Sequence, residues 1–146
     1  FRSLIQKLKH KNPNLTIHAL NDQAEFSDLK EDEIELVKGT LRNRDLLYEG
    51  LAELEKDEPN HELIGSLFME HHAVLRDVLK VSTPKIESML DAALDAGALG
   101  GKINGSGGGG CMFAYAPNNP EAIAEAIENM GGKSYIVRGD RGTVIM

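Results

Sequence analysis

The chain has 146 residues, 41% hydrophobic, 27% charged and 5% aromatic, with a formal net charge of −7. That is the length of one domain with material for a core, and the acidic balance without a basic patch excludes a general nucleic-acid or membrane-surface binder. A single cysteine, Cys111, excludes an internal disulfide framework, and with no signal peptide and no apolar run of about 18 residues it predicts a cytoplasmic protein.

Phe1 to about Lys11 reads as a short amphipathic helix, with Phe1, Leu4, Ile5 and Leu8 on one face. The chain opens without Met on what reads like the middle of a helix, so it is expected to be a piece of something longer. Asn12-Pro13-Asn14 ends that helix, and Leu15 to Asp22 alternates weakly, as a short strand or a buried loop. Ser27 is the expected N-cap before a long helix from about Glu31 to Lys56, striped by Ile34, Val37, Leu41, Tyr48 and Leu51. Arg44 falls in the gap of the stripe, either paired at the edge of the core or facing a partner domain. The acidic runs at Glu31-Asp32-Glu33 and from Glu55 to Glu58 read as solvated surface and helix ends.

Asp57 to Asn60 breaks the helix, and Asn60 caps the next one. This second helix is expected to run to about Lys80 and to be central, because Leu63, Ile64, Leu67, Phe68, Val74, Leu75, Val78 and Leu79 cover much of its circumference. Ser82-Thr83-Pro84 gives a hydroxyl cap followed by Pro in the first turn. The helix it starts points Ile86, Met89, Leu90, Ala93 and Leu94 inward and closes at Gly97.

After Gly97 the pattern turns to strand. Gly100 to Asn104 and Cys111 to Ala116 form an expected β-hairpin whose tip is the run Gly105-Ser106-Gly107-Gly108-Gly109-Gly110. Pro117 to Pro120 is a turn, with Asn119 as cap and Pro120 opening a helix through Met130, which Gly131-Gly132 stops. Lys133 to Arg138 and Gly142 to Met146 read as strands around Gly139-Asp140-Arg141. A helical first two-thirds and a β-β-α-β-β last third make the fold class α+β.

The glycine run is the feature that asks for chemistry. Each Gly in a regular element costs roughly 0.5–1 kcal/mol relative to Ala, so four in succession next to strand-like flanks need a reason. Close backbone approach to an anion is one, since successive N–H groups form a nest for phosphate oxygens. A flexible linker is the bland alternative. Gly105-x-Gly107-x-x-Gly110 satisfies the dinucleotide spacing, but a strand follows where that fingerprint needs a helix. The P-loop pattern also fits through Gly110, but Cys111 stands where its lysine must be. Protein-kinase glycine loops need companion motifs that this sequence lacks.

Other residues weigh less. Lys102 reads as a solvated strand residue rather than a ligand, and Cys111 as inert packing at the start of a buried strand. Glu70, His71 and His72 invite a metal, but neighbours on a helix point about 100° apart, so His72 is expected to be a core-edge histidine hydrogen-bonded to backbone. No metal ligand is assigned.

Residues 97 to 111, Gly-Ala-Leu-Gly-Gly-Lys-Ile-Asn-Gly-Ser-Gly-Gly-Gly-Gly-Cys, resemble the third conserved motif of the GHMP kinases. Met69 to Asp77 and Val81-Ser82-Thr83-Pro84 resemble the stretch before that motif in the galactokinase branch, to which the chain is most similar on this reading; the all-glycine Gly107 to Gly110 is more like mevalonate kinase. The resemblance implies a GHMP-kinase C-terminal domain over residues 1–146, with a four-stranded antiparallel, ferredoxin-like sheet packed with several helices. It implies ATP-dependent phosphorylation of a small molecule, a sugar or a mevalonate-like alcohol, helped by Mg²⁺. The nucleotide-binding N-terminal domain, with the catalytic residues, would lie outside this chain, which would be inactive alone. Gly105, Ser106, Gly107, Gly108, Gly109 and Gly110 would wall the phosphate site, with the N–H groups of Ser106 to Gly109 and the Ser106 hydroxyl as donors. A stand-alone metabolite-binding module and a purely structural interaction domain are the alternatives of other classes.

Overall fold

The computed structural model describes residues 2–11, 26 and 29–139. The expectations for Phe1, the 15–22 segment and the 142–146 strand lie outside them. Helix α1, Arg2–Lys11, buries Leu4 against Val37 and Leu41 of α2, Glu31–Leu54. Ser27 also lies outside the described residues. The N-cap position of α2 is held by Lys30, whose backbone N–H donates to the Glu33 carboxylate at 3.1 Å.

The inward face of α2 differs from the expected stripe. Val37 and Leu41 are buried as expected, but Tyr48 and Leu51 are 51% and 46% exposed. The side turned to the core carries Gly39, Leu46 and Glu53 instead. Gly39 lets the helix settle onto Val74 and Val78, and Leu67 approaches Gly50. Buried Glu53 accepts the Asn60 N–H at 2.8 Å and pairs with Lys56, fastening the corner between α2 and α3. Those bonds hold its carboxyl below the usual range, against the opposing effect of burial.

Helix α3, His61–Ala73, is capped by Asn60, which accepts the Leu63 N–H at 3.0 Å. It does not run on unbroken to Lys80. Val74–Val78 form a π-helical turn, closed by the Leu79 N–H on the Val74 carbonyl at 3.0 Å. Lys80, at φ +53°, ends the helical path. Thr83 caps α4, Pro84–Asp95, which buries Ile86, Met89, Leu90 and Ala93 and closes at Gly97 as expected.

Strands β1, Gly100–Asn104, and β2, Cys111–Tyr115, pair antiparallel from Gly100 opposite Tyr115 to Asn104 opposite Cys111. Alternation sends Gly101 against Leu90 and Ile103 into the cluster of Ile86 and Met89 on α4. Phe113 and Tyr115 point the other way, edge-on to Phe68 of α3, with ring centroids 4.9 and 5.6 Å apart. The crossing of α3 over β1 is closest at Gly65 and Gly100. A Cβ on Gly65 would lie 2.2 Å from the Leu99 carbonyl oxygen, and one on Gly100 would lie 2.1 Å from that of Gly65.

Helix α5, Pro120–Asn129, starts behind Asn119 and packs Ile123 against Ala93 and Ala98. The expected third strand, Lys133 to Arg138, is not one. Ser134 turns back onto α5 instead, its hydroxyl donating to the Ala124 carbonyl at 3.0 Å and its N–H to Glu128 at 3.3 Å. Tyr135 and Val137 stay exposed with no ladder to hold them. Among the described residues the sheet therefore has two strands and not four, and the α+β class stands on a helical assembly with one hairpin.

Candidate functional site

The glycine run sits at the tip of the β1–β2 hairpin, as its flanks predict. Gly105, Gly107, Gly108 and Gly109 adopt φ of +76°, +79°, +74° and +94°, the left-handed region where a Cβ is penalised. Gly107 meets a second constraint. A Cβ there would lie 2.6 Å from Val81 Cβ and 2.7 Å from the Val81 carbonyl oxygen, so the loop touches the α3–α4 connection backbone to backbone. The next residue fastens the contact, since the Gly108 N–H donates to that same carbonyl at 2.8 Å. Gly109 faces Thr83, the cap of α4, with 3.5 Å between its Cβ position and the threonine side chain. A loop seated at three successive residues is not a linker.

This seating narrows what the loop offers. The Gly108 N–H belongs to Val81, which removes it from the Ser106 to Gly109 donors expected for a ligand. Ser106 and Gly110 are exposed, and the space beside Gly105 and Gly108 is open. Together these residues make one wall rather than an enclosed pocket. A cavity of about 640 Å³ lies elsewhere, between α2 and the π turn, lined by Glu31, Ile34, Glu35, Lys38, Gly39, Arg42 and Val78. Nothing in its lining belongs to the loop.

Beneath the wall is a polar cluster that the sequence did not bring together. His72 is fully buried at the end of α3. Its Nδ1 accepts the Ile103 N–H of β1 at 3.4 Å, and its Nε2 lies 2.9 Å from Glu87 Oε1 on α4. The core-edge, backbone-bonded histidine is borne out, with a carboxylate partner added. Ser82 donates its hydroxyl to the same Glu87 oxygen, and Arg76 reaches the other at 3.4 Å. Burial alone would raise the Glu87 carboxyl, but the hydrogen bonds from Ser82 and His72 hold it below the ordinary carboxylate range.

His71 stands in a different environment. Burial first, then the nearby charge of Lys102, pushes its pKa down to about 4, so it is neutral near pH 7. Lys102 is not the solvated residue expected. It is half-buried, its Nζ donates to the Ile103 carbonyl at 2.8 Å and stands 5.5 Å from the Phe113 ring centroid, and burial lowers its pKa. Cys111 departs from expectation too, since it is exposed at the start of β2. Arg44 is the edge-of-core residue, largely buried and paired with Asp45 at 2.6 Å. Among the described residues no group of three or more His, Cys, Asp or Glu is placed to hold a metal ion, and no helix is long and apolar enough to cross a membrane.

Comparison with known proteins bears on the family of the chain. The model of the C-terminal domain of GHMP kinases matches residues 45–133, more than half of the chain, and takes in α3, α4, the hairpin and α5. The chain is 45% identical over 91 residues to a mevalonate kinase of Pyrococcus furiosus, a stretch covering 62% of this chain and 27% of that protein. A mevalonate kinase of Thermococcus gammatolerans is 45% identical over 86 residues, or 59% and 25% of the two chains. A galactokinase of Streptomyces coelicolor is 36% identical over 67 residues, 45% and 17%. The galactokinase-like expectation is therefore not confirmed, because the mevalonate kinase matches are both longer and more alike. The matched stretch spans about a quarter of the mevalonate kinases' own length and 17% of the galactokinase's.

Proposed function

The chain belongs to the GHMP kinases, as their C-terminal domain, and from that premise we propose that it is one part of an ATP-dependent small-molecule kinase. In this reading Gly105, Ser106, Gly107, Gly109 and Gly110 line the phosphate side of the active site, with Gly108 as the loop's anchor. The observation that carries it is the seating on Val81, which fixes a loop of left-handed glycines and sets it against the first turn of α4. Such a loop presents backbone to an anion at close range, and a helix N-terminus beside it adds positive potential. Bound ATP would supply the phosphoryl group. The loop residues would position its phosphates and exclude water from one side, and phosphoryl transfer depends mainly on such positioning and charge stabilisation. Ligands for Mg²⁺ and the catalytic groups belong, on this proposal, to the nucleotide-binding N-terminal domain of the full-length protein, which provides the opposite wall.

Mevalonate, or an alcohol close to it, is the proposed acceptor, supported by the longer and more identical match to mevalonate kinases. Galactose is the second reading, supported by the galactokinase match. A panel of mevalonate, galactose and homoserine offered with Mg²⁺-ATP to the full-length protein separates them. Phosphomevalonate as the main product is the expected result. Galactose phosphate instead would overturn the acceptor and leave the kinase standing, and no phosphorylated product from any acceptor would overturn the kinase.

A further inference from the structure

We propose that His72, through Glu87, is a positioning residue that braces the glycine loop at both its stem and its tip. Because the Ile103 N–H donates to Nδ1, that nitrogen carries no proton, and the ring proton sits on Nε2 and donates to Glu87. Glu87 Oε1 also accepts the Ser82 hydroxyl, and the residue before Ser82 is Val81, whose carbonyl accepts the Gly108 N–H. The contacts therefore close a ring. It runs from Ile103 through His72, Glu87, Ser82 and Val81 to Gly108, and back along the loop to Ile103. One corner is the loop's stem, two residues before Gly105, and another is its tip.

Without the brace, six residues that include five glycines would hang between two strand ends with wide conformational freedom. A fully buried imidazole is costly where hydrocarbon would pack as well, and this one is satisfied at both ring nitrogens. Glu87 is held in turn by Arg76, so the carboxylate is fixed from three sides, by α3, the π turn and the connection into α4. The inference rests on the kinase reading for its effect on ATP, but not for its effect on the loop.

The test compares the full-length protein with its His72→Leu, His72→Asn and Glu87→Gln variants by two readouts. Amide hydrogen exchange is followed across residues 103–110 and across α5, and kcat and KM for ATP are measured separately. His72→Leu is expected to speed exchange in 103–110 while α5 is unchanged, and to raise KM for ATP about tenfold with a smaller change in kcat. His72→Asn keeps an acceptor near the Nδ1 position and is expected to recover part of both losses. Loop exchange equal to wild type in His72→Leu and Glu87→Gln, or raised equally in α5, would overturn the brace and leave only a buried polar core. If the wild-type protein phosphorylates nothing, the kinase reading fails, and the exchange comparison still decides the brace. Should His72→Leu not fold, Ser82→Ala and Glu87→Gln carry the same comparison.

Discussion

Glycine is used in two opposite ways on the two ends of β1. At Gly65 and Gly100 the residue is an absence, since α3 and the strand lie so close that each backbone fills the place of the other's Cβ. At Gly105 to Gly109 it is a conformation, since most of these residues have left-handed φ and two of them face open space. The first use builds the fold and the second shapes a surface. Their tolerances should differ accordingly. Substitution at the crossing should damage everything, whereas substitution in the loop should damage the site first.

The crossing should give the largest effect. Gly65→Ala or Gly100→Ala drives a methyl group into backbone carbonyl, and each is expected to cost about 3 kcal/mol, read as a fall in the denaturant midpoint with activity lost alongside. Gly107→Val comes next, combining a strained φ with contact on Val81. It is expected to cost about 2 kcal/mol locally and to lower kcat/KM of the full-length kinase about a hundredfold, with the helical signal intact. Equal loss of fold at Gly65 and Gly107 would break the distinction.

Acid should divide the regions again, because the loop from Gly105 to Gly110 has no titratable group and the packed side has His71. Its folded pKa of about 4 lies below the ordinary 6.5. Between those values the unfolded chain takes up a proton that the folded one refuses, so stability falls as pH drops from about 6.5 to about 4 and then levels. With solvent screening the effect is roughly 1 kcal/mol, and His71→Gln should flatten the slope across that window in pH-dependent denaturation. An effect of the same small size belongs to Gly108→Ala. Its side chain would enter open space and suffer only the left-handed φ, about 1 kcal/mol, with the Gly108 N–H still on Val81.

The parts of the fold that were legible in sequence are those set by neighbours in sequence. Asn60, Thr83-Pro84 and Gly97 each act on the turn beside them, and the structure keeps all three. The hairpin and its tip were legible for the same reason. The buried side of α2 was not, because it contacts its neighbours through Gly39 and Gly50, which no count of apolar residues reveals, while Tyr48 and Leu51 extend the apolar stripe onto the surface. Lys133 to Arg138 has the alternation of a strand, but pairing depends on an edge that the segment itself cannot specify. In the site, the glycine loop announced itself and its support did not. Glu87 looks like any acid in a first helical turn, and only the fold brings it to His72. The Leu75-Arg76-Asp77 segment suggested galactokinase, yet Arg76 pairs with Asp77 beside it and with Glu87, local contacts that do not report on an acceptor.

The π turn at Val74–Val78 amounts to one surplus residue carried in the last turn of a helical path. That surplus sets the phase of all that follows it, up to the Val81 carbonyl on which the loop rests. Deleting a single residue from the turn would let α3 continue as a regular helix and would rotate the next residues by about 100°. The segment would be more regular and the loop would lose its seat. Families that keep the loop should tolerate changes of residue type in this turn far better than changes in its length.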